Sequence, residues 1–347
     1  MRIVDLLNAI ITLLPINQAE DSDFRENVKK KQKLFLNLFR KINKDDLMLF
    51  LPAEYKYLTR RMLLYRFERI TRKINTIIDC YYDGYPDDAY KNLHQLLNHV
   101  SFITNLKDGY GNFLIIKDPR KLEKVSYFRI RSISKDEIEP PTEKEMFHVS
   151  FEKRGLVSTN RFSISGFPCL YLGRSLQVCY EELNSPIERV YANRLEMNPN
   201  KIYPLNLTIP EPFTENIYDD NDVLNYDAFC FLLTFPLIHA SLFKVKAVCK
   251  NDNFKPEYII PQLLLQYVKK EAPSSSILYT STKVTENNSN ELYHNIVIPV
   301  IKIATKGYCP ELSAKIKVSK PIQIKHFSNK DLLKAEKILL SYTTQSI

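Results

Sequence analysis

The chain has 347 residues, of which 44% are hydrophobic, and its formal net charge is +9. This length accommodates two domains, and this apolar content is typical of a protein with a buried core, which excludes a disordered chain. The six cysteines include no CxxC pair and no cluster at metal-ligand spacing, so neither a disulfide framework nor a zinc site is indicated. We therefore expect reduced thiols and a cytoplasmic location.

The N-terminal residues, MRIVDLLNAIITLLPINQ, are apolar enough to suggest a signal peptide. Asp5, the early Pro15 and the lack of a small-residue cleavage site argue against that interpretation. Another very apolar run, Phe229 to Ile238, is too short to cross a bilayer. These segments predict a soluble chain that does not associate with a membrane.

Apolar residues recur at helical spacing through the first 104 residues and predict an α-helical domain. The predicted helices are residues 2–14, a segment after Asp23 that includes Phe35 to Ile42, residues 52–79 and residues 87–104. Turn residues between Lys107 and Arg120 predict the end of this domain, which we take as residues 1–115.

Positive charge is concentrated in this first domain. Between Phe24 and Lys73, fifteen Lys and Arg residues accompany five Asp and Glu residues. Such a surface attracts nucleic acid, an acidic protein or anionic lipid, and a solvated helical face also accounts for it. We expect a basic domain with a regulatory or partner-binding role.

Strand patterns dominate after residue 120 and, with interspersed helices, favour an α+β domain over residues 120–347. The predicted strands are Val125 to Ile130, Pro168 to Leu172, Ile202 to Ile209, the alternating segment Phe243 to Cys249, Ile296 to Ile303, and Ile316 to Ile324. The predicted helices are Ser175 to Leu183, Tyr226 to Phe235, Glu257 to Lys270, and a last one that begins at Ser328. The sequence contains neither a GxGxxG motif nor a Walker loop, which removes the usual grounds for a Rossmann or P-loop nucleotide site.

Turns and charges are concentrated between Tyr127 and Leu183. Three of the seven glycines of the chain fall within nineteen residues there, which marks sharp turns or close approach of a ligand. Five arginines, at positions 129, 131, 154, 161 and 174, accompany the adjacent pair Glu181 and Glu182. Anion-binding donors beside a carboxylate are the outline of a substrate site, although a run of turns with a solvated charged face has the same composition.

The order of short motifs in this stretch resembles the RES domain family. The matching pieces are Phe128-Arg129, Arg161-Phe162, Gly166-Phe167-Pro168, Leu170-Tyr171-Leu172-Gly173 and Glu182, followed by Gln262-Leu263-Leu264, Ile277 to Ser281 and Asn295 to Pro299. They cover about residues 124–310. The resemblance implies a fold like that of the ADP-ribosyltransferases and an enzyme that takes NAD as its substrate, with no further cofactor.

The resemblance also implies roles for individual residues. Glu182 is expected to be the carboxylate beside the ribose and Arg129 to anchor the dinucleotide. Ser281 is expected to complete the catalytic set by hydrogen bonding to the ribose or a phosphate. The substrate-binding candidates are Tyr171, Arg161, Arg131 and Asn295. In the Gly-Arg-Trp element of the family, this chain has Asn160 and Phe162 on either side of Arg161, which puts close backbone approach in doubt.

Two further side chains compete for roles at this site. Glu181 points about 100° away from Glu182 on a helix, so only one of the two can face the substrate. His148 is a lone histidine in a loop, and a structural role is favoured over general base catalysis.

Members of the RES family look like toxins of bacterial toxin–antitoxin modules or effectors that deplete NAD during infection. The resemblance thus implies an NAD glycohydrolase or NAD phosphorylase that acts as a toxin or as an anti-phage abortive-infection effector. A protein ADP-ribosyltransferase toxin uses the same residues and is the alternative, and a non-catalytic basic nucleic-acid-binding protein is the second alternative. The expected partners are NAD, an antitoxin or regulatory protein, nucleic acid bound by the basic N-terminal domain, and a second copy of the chain in a homo-oligomer.

Overall fold

The computed structural model describes residues 1–99, 126–134, 139–183, 189–197, 203–218, 223–271, 275–283 and 293–346. The chain forms two compact units. The first comprises Met1–Leu114 and Leu207–Tyr267, and the second comprises Ile115–Asn206 and Val268–Ile347. This division differs from the predicted domains 1–115 and 120–347, because residues 207–267 belong with the N-terminal helices. The predicted boundary segment Lys107 to Arg120 lies outside the described residues.

The structure has an α+β fold, as the sequence predicts. The helices are α1 (Ile3–Ile11), α2 (Phe24–Arg40), α3 (Lys44–Phe50), α4 (Arg60–Tyr82), α5 (Pro86–His99), α6 (Leu176–Glu181), α7 (Val223–Ser241), α8 (Ile259–Glu271), α9 (Pro310–Ser313) and α10 (Asn329–Ser341). The strands are β1 (Ser126–Ile133), β2 (Cys169–Gly173), β3 (Arg189–Met197), β4 (Tyr203–Leu207), β5 (Ser275–Thr280), β6 (His294–Pro299), β7 (Ile316–Ser319), β8 (Ile322–Ile324) and β9 (Thr344–Ser346).

The first unit is helical and has an aromatic core. Phe35 of α2 lies with its ring centroid 5.2 Å from that of Phe67 on α4 and 4.7 Å from that of Phe235 on α7. Asn225 of α7 is buried and donates hydrogen bonds to the carbonyl oxygens of Phe50 and Ile217. Helix α7 therefore completes the core of the N-terminal helices, which explains why residues 207–267 join this unit.

Two local predictions in the first unit are wrong, and one helix is missed. Helix α3 was not predicted, because its seven residues are too few for a periodic pattern to stand out. Helix α4 begins at Arg60, where the Thr59 side chain accepts a hydrogen bond from the backbone N–H of Met62, and residues 53–55 form a separate 3₁₀ turn. The alternating segment Phe243 to Cys249 is not a strand: it makes a single bridge between Phe243 and Ile16, then forms a 3₁₀ turn in which Val248 is 70% exposed.

The second unit is built on one sheet. Among the described residues, nine strands pair in the order β4-β5-β6-β2-β1-β3-β7-β9, with β8 pairing to β3 as well. Strand β3 was not predicted from the sequence. Its buried positions include Asn193 and Arg194, and these polar residues obscure the apolar alternation by which strands are recognised.

The two faces of the central strands pack against different partners. Phe128 of β1 and Ala192 of β3 pack with Leu176 of α6 and Leu332 of α10, and we call this side the α6/α10 face. The opposite face carries a second apolar cluster, whose members from the central strands are Tyr127, Leu170, Leu172, Leu195, Ile296 and Ile298. Because side chains alternate along a strand, each residue of β1 and β2 can be assigned to one of these faces.

His239 of α7 makes the stability of the first unit sensitive to acid. Its side chain is 2% exposed, and neither ring nitrogen has a hydrogen-bond partner among the described residues. Burial, together with the positive charge of Lys31, lowers the pKa of His239 to about 3. In the unfolded chain the pKa is about 6.5, so protonation favours unfolding as the pH falls below that value.

We expect the free energy of unfolding to fall by about 2 kcal/mol between pH 6.5 and pH 5 through this group. Replacing His239 with Leu should remove that component of the pH dependence, because no proton can then bind at this position. Urea unfolding followed at a series of pH values measures the difference. Parallel pH profiles for the two proteins would contradict the prediction.

Candidate active site

Glu182 is positioned by a strand, a tight turn and a short helix. Strand β2 ends at Gly173, and α6 begins after Ser175, whose side chain accepts a hydrogen bond from the backbone N–H of Val178 at 3.2 Å. Glu182 is the first residue after α6. The turn requires glycine at 173, because a Cβ there would lie 2.6 Å from Cys179 Sγ and from Val178 Cγ1.

Three residues of the second unit converge on the Glu182 carboxylate. Ser281 Oγ donates a hydrogen bond to Oε1 at 2.7 Å, and Asn295 Nδ2 donates to the same oxygen at 2.9 Å. Lys283 Nζ lies 3.4 Å from Oε2. The carboxylate thus interacts with three donors, and two of them, Ser281 and Asn295, are predicted site residues.

The pairing of β5 with β6 brings these donors together. Tyr279 of β5 lies opposite Asn295 of β6, and Ser281 follows two residues later, just beyond the strand. Asn295 in turn lies opposite Gly173 at the end of β2, where the chain turns toward α6. Glu182 and its partners therefore occupy the α6/α10 face at the ends of β2, β5 and β6.

Of the two adjacent glutamates, Glu182 is the one that faces this site. Glu181 Oε1 instead accepts a hydrogen bond from Gln177 Nε2 at 2.7 Å, four residues earlier on the same helix. A rotation of about 100° per residue separates the two side chains, so they cannot share the same partners.

Tyr171 and Arg161 lie near the same strand ends. Tyr171 is on the same face of β2 as Gly173, and its hydroxyl donates to Ser163 Oγ at 2.9 Å. Burial raises the pKa of Tyr171 well above its usual value, so its hydroxyl keeps its proton. Arg161 Nη2 donates to the hydroxyl of Thr282 at 2.9 Å, next in the chain to Ser281.

Arg129 is not brought into contact with Glu182. By strand alternation it points to the face opposite α6 and α10, and its Nη1 donates to the carbonyl oxygen of Tyr171 at 3.5 Å. Strand β1 pairs with β2 at Phe128 and Gly173, and the Arg129 guanidinium reaches the backbone of β2 two residues before Gly173. That Arg129 and Glu182 bind one substrate stays a prediction.

The environment of Arg129 is desolvated. Its Nε is buried and has no hydrogen-bond partner among the described residues. Burial, followed by the charge of Arg131, lowers the pKa of Arg129 to about 10. Arg131 itself donates to the carbonyl oxygen of Glu145 at 3.2 Å, so the two guanidinium groups bind different carbonyls.

Two residues near these sites were not identified from the sequence. Lys283 follows the motif Ile277 to Ser281 by two residues, and no motif includes it. Asn193 of β3 lies directly opposite Arg129, is 0% exposed, and has no side-chain hydrogen bond among the described residues. A buried side-chain amide without a hydrogen-bond partner is uncommon. Asn193 could not be identified from the sequence, because only the pairing of β1 with β3 places it opposite Arg129.

His148 has a structural environment. Its Nε2 accepts a hydrogen bond from the backbone N–H of Cys309 at 2.9 Å, and its Nδ1 lies 2.7 Å from the carbonyl oxygen of Val149. Burial lowers the pKa of His148 to about 4. Both ring nitrogens are therefore engaged by the backbone, and the ring is neutral at pH 7.

The structure thus defines an α+β protein whose second unit presents a carboxylate held by a serine, an asparagine and a lysine. The chain is 34% identical over 278 residues to a protein of Bacillus subtilis (strain 168) named "Putative toxin YopC". The similarity covers 77% of this chain and 61% of the length of that protein. No family model matches the chain, and no solved structure matches it. In the ranges that the structure describes, no helix has both the length and the apolar character needed to cross a bilayer.

Proposed function

We propose that this chain is a toxin that acts by cleaving NAD at the bond between nicotinamide and ribose. The observation that carries the proposal is the Glu182 carboxylate, which Ser281 and Asn295 fix through its Oε1. The named toxin among its relatives supports the toxic role, and the motif order that resembles the RES family supports NAD as the substrate. Membership of that family stays a prediction.

The proposed chemistry needs a fixed anion beside the ribose. As the bond between ribose C1′ and the nicotinamide nitrogen breaks, the electron pair leaves with nicotinamide, which departs as a neutral molecule. The ribose then carries oxocarbenium-like positive charge, which a carboxylate stabilises. Water adds its oxygen to C1′ and releases one proton, and the products are ADP-ribose and nicotinamide.

The other residues have proposed roles in binding. Ser281 and Asn295 hold the orientation of Glu182, and orientation by fixed hydrogen bonds avoids reorganisation during the reaction. The Tyr171 ring is proposed to contact nicotinamide or ribose, and the Arg161 guanidinium to bind phosphate or ribose oxygens, for which its fork of donors is suited.

The decisive experiment is incubation of the purified chain with NAD, with nicotinamide release followed by chromatography. Mass spectrometry of the products separates the acceptors: free ADP-ribose indicates water, ADP-ribose phosphate indicates phosphate, and a modified protein indicates an ADP-ribosyltransferase. Expression of the chain should also arrest growth and lower cellular NAD. Absence of nicotinamide release from NAD and of any modified protein would refute the proposal.

The first unit supports a second, non-exclusive candidate function, which is binding to nucleic acid. Arg61, Tyr65, Arg69 and Arg72 form an exposed stripe on α4. The three arginines have no ion-pair partner among the described residues, and the Arg69 guanidinium lies 5.9 Å from the centre of the Tyr65 ring. Arginines bind phosphates, and a tyrosine ring stacks on bases. These residue types favour binding of single-stranded nucleic acid over a surface that is only solvated.

Replacing the three arginines with glutamine should weaken binding of single-stranded RNA or DNA and reduce the slope of log affinity against log salt by about two. The matched control replaces Lys330, Lys334 and Lys337, an exposed stripe of three cations on α10, and should leave binding unchanged. Fluorescence anisotropy across a salt series measures both proteins. Equal losses in the two variants would show nonspecific attraction, and an antitoxin protein would then be the better partner for the helical unit.

A further inference from the structure

Lys283 neutralises the carboxylate on which the proposed reaction depends. Its Nζ lies 3.4 Å from Glu182 Oε2 and donates a hydrogen bond to the backbone carbonyl of Glu182 at 2.8 Å. Ser281 and Asn295 already donate to Oε1. Both carboxylate oxygens are therefore engaged by donors, and one of them faces a full positive charge.

This arrangement opposes catalysis as it stands. A carboxylate accelerates departure of nicotinamide because it attracts the positive charge that develops on the ribose. An ammonium 3.4 Å from Glu182 Oε2 offsets part of that attraction. The ion pair must therefore separate, or at least lengthen, for Glu182 to act.

The pair is built in a way that allows separation. The two side chains are 34% and 35% exposed, and an ion pair exposed to this degree is weak in water. The Lys283 ammonium is carried on a flexible four-carbon stem. Its backbone N–H donates to Ser281 Oγ at 3.2 Å, so the position of the main chain does not depend on the ammonium.

We propose that Lys283 makes this site selective for nicotinamide substrates that carry a phosphate. A phosphate entering beside Glu182 competes for the ammonium, and the carboxylate is released when Lys283 pairs with the phosphate. A phosphate-free substrate, nicotinamide riboside, offers no such competitor and meets a neutralised carboxylate. The inference rests on the proposed cleavage of the nicotinamide–ribose bond and assigns Lys283 a specificity-determining role at that site.

The test compares nicotinamide mononucleotide with nicotinamide riboside in the wild-type protein, Lys283→Gln and Lys283→Arg. For kcat/KM the wild type should prefer the mononucleotide, and Lys283→Gln should lose at least about tenfold of that preference, the size of one charged hydrogen bond. Its KM for the mononucleotide should rise while its kcat on the riboside rises, because Glu182 is no longer neutralised. Lys283→Arg keeps the positive charge and should retain the preference.

Calorimetric binding of the same two ligands separates this inference from the proposed activity. If the wild type releases no nicotinamide from any substrate, the proposed activity fails, and a binding preference for the mononucleotide that is lost in Lys283→Gln still supports the role of Lys283. An unchanged preference in Lys283→Gln, in turnover or in binding, overturns the inference. Because the Lys283 side chain is partly exposed, we expect Lys283→Gln to fold, and circular dichroism checks that it does.

Discussion

Replacing Glu182 with Gln is expected to reduce nicotinamide release from NAD by at least about 100-fold, the effect of removing one group that stabilises transition-state charge. The amide oxygen of glutamine can still accept the hydrogen bonds that Ser281 and Asn295 donate to Oε1. The change therefore removes the negative charge and leaves the local packing. Initial rates of nicotinamide release at saturating NAD measure the effect.

Glu181→Gln is the matched control for this variant. Glu181 is the neighbouring residue on α6 and bonds to Gln177 rather than to the site, so its replacement should leave the rate within about twofold. If both variants lose activity equally, Glu182 acts through the stability of α6 rather than through its charge. Full activity in Glu182→Gln would remove the carboxylate from the mechanism.

Replacing Gly173 with Ala is expected to destabilise the second unit by about 3 kcal/mol and to reduce activity as well. The new Cβ would lie 2.6 Å from Cys179 Sγ and Val178 Cγ1, and 3.2 Å from the carbonyl oxygen of Ser175. Val178 is fully buried, so its side chain has little space to move into, and we expect α6 to shift to relieve the clash. Since Glu182 directly follows α6, we expect the carboxylate to move away from Ser281 and Asn295.

Gly155→Ala provides the comparison for that prediction. No atom lies within 4 Å of a Cβ at position 155, so this substitution should change the free energy of unfolding by less than about 0.5 kcal/mol. Urea unfolding of both variants, together with nicotinamide release, gives the two readouts. A Gly173→Ala protein as stable and active as Gly155→Ala would show that α6 does not depend on this close approach.

The sequence predicts that Glu182, Ser281 and Asn295 belong to one site only through the resemblance of its motif order to the RES family. The structure brings their side chains within 2.7 and 2.9 Å of one carboxylate oxygen. Lys283 could not be predicted, because only the pairing of β5 with β6 places its ammonium beside Glu182. The position of Arg129 relative to Glu182 could not be predicted either. It depends on which face of the sheet α6 covers, and no local sequence pattern determines that face.

Local sequence patterns also could not show which segments of the chain form the first unit. Residues 207–267 follow the strands of the second unit along the chain, and nothing in their composition marks a change of domain. Their place is decided by buried contacts across about 175 residues, such as that between Asn225 and Phe50. A deletion designed on the predicted boundary, removing residues 1–115, would therefore strip α7 of the helices it packs against.

The second unit is formed by two chain segments with part of the helical unit between them, and this arrangement determines the order in which the two units are synthesised. All residues of the helical unit have been synthesised by Tyr267, whereas Ser281, Lys283 and Asn295 are translated afterwards. The helical unit can therefore be complete before the carboxylate at 182 acquires any of its three partners. A transcript truncated shortly after codon 267 would therefore yield the helical unit without Ser281, Lys283 and Asn295, and so without the three partners of the Glu182 carboxylate.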